Sequence, residues 1–268
     1  MKSKILLVIT WLSAAVTFSL LIFLIGYILA RGIPYLKPSL FALEYTTENV
    51  SLLPALITTV MTVALSLLIA VPVGVFSAIY LVEYAKRGSK IVKWVRATAE
   101  TLSGIPSIIY GLFGWMFFVS FLGWGLSLLA GSCTLSIMIL PLIMRTTEES
   151  LKSVPDIYRE GSFGLGAGRL RTVFRIVLPA AAPGILAGVI LAIGRIVGET
   201  AALIFTAGTV AQVPGLLGSG RTLAIHMYAL SSEGLYTGQA YATAVVLLAV
   251  VIGINTLSAK AAKKIAKK

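Results

Sequence analysis

The 268-residue sequence predicts an all-α membrane protein with six transmembrane helices. Its residues are 58% hydrophobic and its mean hydropathy is +0.97, more apolar than a water-soluble domain of ordinary composition. The apolar residues gather into runs near or above the roughly 20 residues that cross a hydrocarbon core of about 30 Å as helix. Within these runs Leu, Ile, Val and Ala follow one another continuously, without the period-two alternation of a β-barrel.

The first run, about Ile5 to Leu29, follows Lys2 and Lys4 in the manner of a secretory signal. A signal's apolar region has about 7–15 residues and this run is longer, so it is read as a span. The others are about Leu53 to Tyr80, Thr101 to Leu122, Leu126 to Met144, Pro183 to Thr206 and Ala240 to Leu257. Pro54, Pro72, Pro106 and Pro141 lie in or near spans as kinks. Gly104-Ile105-Pro106-Ser107 is read as such a kink in span three, in preference to a broken helix presenting N–H groups to an anion. The chain divides into a first helix with its external loop (1–52), a core of five helices (53–259) containing a polar connection (145–182), and a lysine-rich tail (260–268).

Orientation follows from the Lys and Arg of the connections. Lys2 and Lys4, then Lys86, Arg87, Lys90, Lys93 and Arg96, then Arg145, Lys152, Arg159, Arg169, Arg171 and Arg175, and finally Lys260, Lys263, Lys264, Lys267 and Lys268 fall on one face if there are six crossings. The opposite face has Arg31, Lys37 and Arg221. Both termini are therefore expected in the cytoplasm, with the chain in the cytoplasmic (inner) membrane. This topology also accounts for the formal charge of +12, which has no basic stripe on a folded domain to suggest nucleic acid. The tail suits contact with anionic lipid headgroups of the bilayer. Cys133, alone in span four, provides neither a disulfide nor a cysteine metal site and is read as a packing residue. His226, the single histidine, lies on the outer connection and is read as solvated; it cannot supply a metal or nucleophile–base constellation, so no catalytic or metal-binding residue is expected.

The connection after span four has structure of its own. Ser153 and Pro155 predict a helix start, Gly166 and Gly168 a stop and change of direction, and a second short helix follows. In it Leu170, Val173, Phe174 and Val177 fall at i, i+3, i+4 and i+7, with Arg169, Arg171, Thr172 and Arg175 on the other side. The expectation is a helix–turn–helix lying along the cytoplasmic surface, with Gly161, Gly164, Gly166 and Gly168 permitting close approach. The glycines are not a phosphate-cradling loop, because no strand precedes them and no Gly-Lys-Ser/Thr ends them.

The segment resembles the cytoplasmic signature of binding-protein-dependent ABC transporter permeases, Glu-Ala-Ala, three residues, Gly, nine residues, Ile-x-Leu-Pro. Here it reads Glu160-Gly161-Ser162, Gly166 and Ile176-Val177-Leu178-Pro179 at the same spacing, departing from the pattern where two alanines are usual. The resemblance implies an ABC importer type I permease-like fold in which this element is the coupling helix, seated in a cleft of a separate ATPase. ATP and Mg would then be used by that partner, and no cofactor is bound by this chain.

Span five contains Arg195 and Glu199, four residues apart near its middle. An ionised residue there costs about 2.5–3.5 kcal/mol on insertion scales, so the two are expected to face a helix interface or a wet path, sharing a helix face and pairing. Gly184, Gly188, Gly194 and Gly198 beside them form a small-residue stripe for close helix approach. The alternatives are a structural ion pair and an anion path in which Arg195 offers its fork of donors and Glu199 moderates the attraction.

Three stretches, SGIPSIIYGLFG (103–114), RTTEESLKSVPDIYRE (145–160) and GRIVGETAALIFTAG (194–208), are similar to the PstA-type permeases of phosphate-specific ABC transporters. That resemblance implies inorganic phosphate as substrate and an anion path containing Arg195 and Glu199. It also implies a PstC-type permease as heterodimer partner, a cytoplasmic ATPase subunit dimer and an extracytoplasmic phosphate-binding protein, which would dock on about Gly208 to Gly238. Residues alone say only oxyanion, leaving sulfate or molybdate open. A secondary anion transporter is the rival class, disfavoured because no inverted repeat is detectable.

Overall fold

The computed structural model describes residues 2–86 and 88–266. Arg87, Lys267 and Lys268 of the predicted basic face lie outside the described residues. The described chain is helical throughout, with the segments α1 (Lys2–Gly32), α2 (Leu53–Ile79), α3 (Lys90–Ser103), α4 (Ser107–Gly114), α5 (Leu128–Lys152), α6 (Asp156–Gly164), α7 (Arg169–Thr172), α8 (Leu178–Val197), α9 (Ala201–Thr206), α10 (Leu223–Glu233) and α11 (Thr237–Ala266). Short π-helical stretches at Tyr80–Tyr84, Trp115–Phe121 and Val173–Val177 extend α2, extend α4 and join α7 to α8.

Five continuous helices are long and apolar enough to span a bilayer: Lys4–Tyr35, Leu53–Tyr84, Leu128–Lys152, Arg169–Val197 and Thr237–Lys260. The pair Lys90–Ser103 and Ser107–Phe121 makes a sixth, bent by 102°. The predicted plain kink in span three is thus a full change of direction, because Gly104 ends α3 and Pro106, which has no N–H to continue a helix, opens α4. The Tyr110 hydroxyl donates to the Leu102 carbonyl at 2.7 Å and so satisfies one acceptor freed by the break. Only Thr101–Ser103 of the predicted start of span three belongs to α3; the apolar stretch proper begins at Ser107.

α5 is the central post, packed between α2 and α8. Its join to α2 is polar. Ser66 Oγ donates to the Ser132 carbonyl at 3.2 Å, and Ser136 Oγ donates to the carbonyls of Ser66 at 3.1 Å and Ser132 at 2.6 Å. Small hydroxyl residues let two helices approach while holding them together where there is no water to compete. The glycine stripe of α8 behaves half as expected. A Cβ at Gly184 would strike Ser150 and one at Gly188 would strike Thr146, so α8 lies against α5 there, while Gly194 has open space.

The break in span three also meets the end of span five. Gly111 of α4 abuts the backbone of Ala202 in α9, and Gly114 abuts Thr134 and Thr206. The core around them contains Leu135, Met138, Ile139, Ile196, Val197 and Leu203. α1 stands outside this core, touching chiefly α11, where Tyr27 packs edge-on to Tyr241 at 5.9 Å between ring centroids. Its Leu, Ile and Phe side chains remain exposed, as suits a helix facing lipid or another membrane chain.

Candidate functional site

The segment with the Glu160 to Pro179 signature leaves α5 at Lys152. Ser153 terminates α5 and its hydroxyl donates to the Ser150 carbonyl, so it does not start the next helix; Pro155 does, at the residue before Asp156. α6 then ends at Gly164, and Gly166, with φ +80, makes the turn that an L side chain resists. Across this turn the Ser162 and Thr172 hydroxyls share a buried hydrogen bond of 2.8 Å that closes the hairpin. Contrary to the expected surface-lying second helix, α7 continues through the π-helical stretch into α8, so Arg169–Val197 is a single 29-residue helix. Thr172, Val173 and Val177 turn inward while Leu170 and Phe174 stay exposed, because the helix packs on the bundle through only one edge of its predicted apolar face.

This hairpin presents apolar side chains outward, among the charged Asp156, Glu160, Arg169 and Arg171. Leu165 is 90% exposed at its tip, and Ile157, Tyr158, Phe163 and Leu170 are exposed around it. Nothing in the chain lies near a Cβ built at Gly161, Gly164, Gly166 or Gly168, so their bare backbone faces open space. Glu160 is exposed beside them, Ser162 is buried, Ile176 and Leu178 are half-buried and Pro179 is exposed. An exposed apolar tip on a tight turn is the form of a docking knob.

The knob is clamped to the bundle by one side chain. Arg159 Nη2 lies 2.7 Å from Glu83 Oε1 at the end of α2, with Nε at 3.2 Å from the same oxygen, and Nη1 lies 3.2 Å from Asp156 Oδ1. The same guanidinium donates to the carbonyls of Leu151 at 2.9 Å, in the last turn of α5, and Val154 at 2.8 Å, just beyond it. The hydrogen bond and charge of Glu83 raise the Arg159 pKa above its ordinary value. Sequence reading missed this clamp, because Glu83 and Arg159 are 76 positions apart and nothing local links them.

Arg195 lies two residues before α8 ends and lines a cleft of about 340 Å³ together with Arg96, Glu100, Arg145, Glu149 and Lys152. Beside it Glu148 joins α3 to α5, accepting from Arg96 at 2.6 Å and Lys152 at 2.5 Å through the same oxygen. The predicted pairing of Arg195 with Glu199 does not occur. Gly198 caps α8 and Thr200 departs from helical geometry, so the two residues no longer share a helix face. Glu199 is 9% exposed and its Oε1 accepts the Ala202 N–H at 3.1 Å, capping the helix that restarts as α9. Span five therefore runs from Arg169 to Val197, and the predicted stretch to Thr206 is a broken continuation. Arg195 forms no ion pair within 4.0 Å among the described residues.

At the other end of the bundle, His226 is fully buried on α10, which corrects the solvated reading. The connection predicted as an open outer loop folds back on itself. The Gly220 N–H donates to the Ala207 carbonyl at 3.2 Å and the Arg221 N–H to Val210 at 3.0 Å, which carries α10 inward.

Comparison with known proteins places the chain among transport permeases. A family model described as "Binding-protein-dependent transport system inner membrane component" matches residues 70–267. A probable ABC transporter permease, YqgI of Bacillus subtilis, is 32% identical over 84% of this chain and 81% of its own length. The phosphate transport system permease PstA of Pasteurella multocida is 37% identical over 77% of this chain and 74% of its own, and that of Haemophilus influenzae 36% identical over 76% and 73%. Among solved structures, a bacterial ABC transporter that imports alginate matches with TM-score 0.70 and 17% identity over 98% of this chain and 96% of its own. The MetNI methionine transporter in an inward-facing form matches with TM-score 0.63 and 22% identity over 80% and 94%. Both bear on the fold alone.

Proposed function

The chain belongs to the family of binding-protein-dependent transport system inner membrane components, and from that premise we propose that it is the membrane-spanning permease subunit of an ATP-driven ABC importer for inorganic phosphate. Phosphate is carried by the PstA relatives, which align over most of the chain. The observation in this chain that best supports an anion substrate is Arg195, a guanidinium near the end of a membrane helix, beside a cleft and without a carboxylate partner within 4.0 Å.

In this reading the knob at Leu165 enters a cleft on a separate ATPase, which supplies ATP and Mg, and the chain itself is not an enzyme. The exposed apolar residues of α1 and α4 suit a second permease of PstC type as heterodimer partner. The stretch 208–238 faces a soluble phosphate-binding protein, and the basic end with both termini lies in the cytoplasm. ATP-driven closure of the ATPase pair moves the knob, and Arg195 meets the anion where the path opens. Guanidinium binds an oxyanion by two parallel hydrogen bonds, and Arg195 opens on a cleft lined by both basic and acidic side chains. Glu199, as a helix cap, holds the break that places Arg195 at the end of α8.

Uptake of labelled phosphate at limiting concentration tests the proposal in cells with the chain intact, deleted or carrying Arg195→Gln, with sulfate uptake as control and membrane levels checked. Loss of phosphate uptake in both altered strains supports substrate and path. Unchanged uptake in the deletion, in cells without another phosphate system, overturns the substrate; loss in the deletion alone overturns the role of Arg195.

A further inference from the structure

At the end opposite the knob, a buried cluster contains polar atoms that find no partner among the described residues. Arg221 is 7% exposed, yet its Nε and Nη2 meet no acceptor. Thr222 Oγ1 is likewise without a hydrogen bond, and the ring nitrogens of the fully buried His226 have no partner of good geometry beyond an approach to the backbone of Val50. Tyr45 brings them together: the Arg221 guanidinium carbon lies 4.6 Å from its ring centroid, and the same ring packs edge-on to His226 at 6.1 Å. Thr222 and His226 share one face of α10 at i and i+4. Thr222 precedes the first residue of that helix and its side chain caps no N–H.

A guanidinium withdrawn from water needs a counter-charge, and among the described residues no carboxylate lies within 4.0 Å of Arg221. The Tyr45 face offsets only part of that desolvation. Several groups in the cluster can meet an anion: the fork of Arg221, the Thr222 hydroxyl and the positive end of the α10 dipole, with the His226 imidazole able to donate from one ring nitrogen. We propose that Arg221, Thr222 and His226 form a second binding site, for a tetrahedral oxyanion of the phosphate class, at the mouth opposite the knob.

The identity of that oxyanion rests on the proposed function, in which this is the mouth where substrate enters. Donors on three residues suit an anion with four acceptor oxygens better than a carboxylate with two. Burial and the charge of Arg221 hold His226 neutral, with its pKa lowered to about 3. The ring therefore contributes one donor without a second full charge, which keeps binding reversible. Tyr45 and the backbone at Val50 cover the cluster, so the anion enters when the connection between α1 and α2 moves away.

His226 is the single histidine, so its reactivity reports on this site alone. In the purified importer complex, carbethoxylation of His226 by diethyl pyrocarbonate is followed by mass spectrometry, with inorganic phosphate as probe and chloride as control. Phosphate at ten times its Kd is expected to slow modification about ten-fold. Arg221→Gln is expected to abolish that protection, and Arg221→Lys, which keeps the charge but not the fork, to weaken it. Equal rates with and without phosphate, or a histidine unreactive in phosphate-free buffer, overturn the site. Protection by the phosphate-free binding protein alone would assign the cluster to a protein carboxylate and equally overturn it. Labelled phosphate uptake by the same complex separates the two claims: uptake with an unprotected His226 refutes this site and leaves the transporter, whereas absence of uptake refutes the transporter.

Discussion

Replacing Arg159 by Gln should release the knob from the bundle. Its side chain is 14% exposed and that of Glu83 8%, so the pair is largely out of water, and the same guanidinium satisfies two backbone carbonyls. Breaking a buried pair by removing one partner costs about 3–5 kcal/mol, because the other charge remains buried without compensation. If most of that cost falls on the hairpin, its local opening becomes about 100-fold more frequent, since each 1.4 kcal/mol is a factor of ten. Amide hydrogen exchange of residues 156–166 in detergent or nanodiscs reads this directly, and phosphate uptake should fall with the protein still inserted. The double variant Glu83→Gln with Arg159→Gln should recover part of the protection, because it removes the orphaned charge. The effect should be flat across neutral pH: a cation whose folded pKa is raised contributes fully below its ordinary pKa and loses that contribution only as pH climbs through the higher value. Exchange of 156–166 unchanged in Arg159→Gln would refute the clamp.

Three further outcomes follow from the same geometry. Leu165→Asp, at a 90% exposed position, should leave thermal unfolding of the isolated permease unchanged while weakening co-purification with an ATPase subunit. Gly188→Val should lower the unfolding temperature by the equivalent of about 1–3 kcal/mol, because the added atoms strike Thr146 on α5, whereas Gly194→Ala meets open space and should be neutral or mildly stabilising. Lowering pH from 6.5 toward 3 should destabilise the wild type more than His226→Gln: the unfolded histidine takes a proton that the folded one refuses, so stability present above the unfolded pKa is lost on acidification through this window.

The spans were legible because continuous apolar runs are a property of composition, and Gly166 was legible because its positive φ is a local demand. The signature from Glu160 to Pro179 was found at its spacing. What the sequence concealed was non-local. An Arg and a Glu four apart promise a pair only if the helix continues, and Gly198 followed by Thr200 ended it. His226 was misread because the fold of 207–222, stitched by backbone bonds such as Arg221 to Val210, has no periodic signature. The Ser66, Ser132 and Ser136 contacts escaped for a different reason: isolated serines in an apolar run mark a helix interface only when both helices are in view.

The merging of α7 with α8 changes how motion at the knob would be felt. A separate surface helix would have passed force to span five through a joint. Instead Arg169 and Arg195 stand 26 residues apart on one helix, about 39 Å at 1.5 Å per residue. Its foot turns at Gly166 and is tied to α6 by the Ser162–Thr172 bond, and α6 is tied to α2 by Arg159 and Glu83. Displacement of the knob therefore reaches Arg195 without crossing a loop. Compliance lies at the two ends: the π-helical stretch Val173–Val177 at the foot, and the break at Gly198 to Thr200 beyond the arginine. At that break α9 lies against α4, itself begun by a break, so the two interrupted spans meet close to their breaks. A helix that moves as a rod and ends in an uncompensated arginine can alter the surroundings of an anion without unfolding any backbone hydrogen bond along its length.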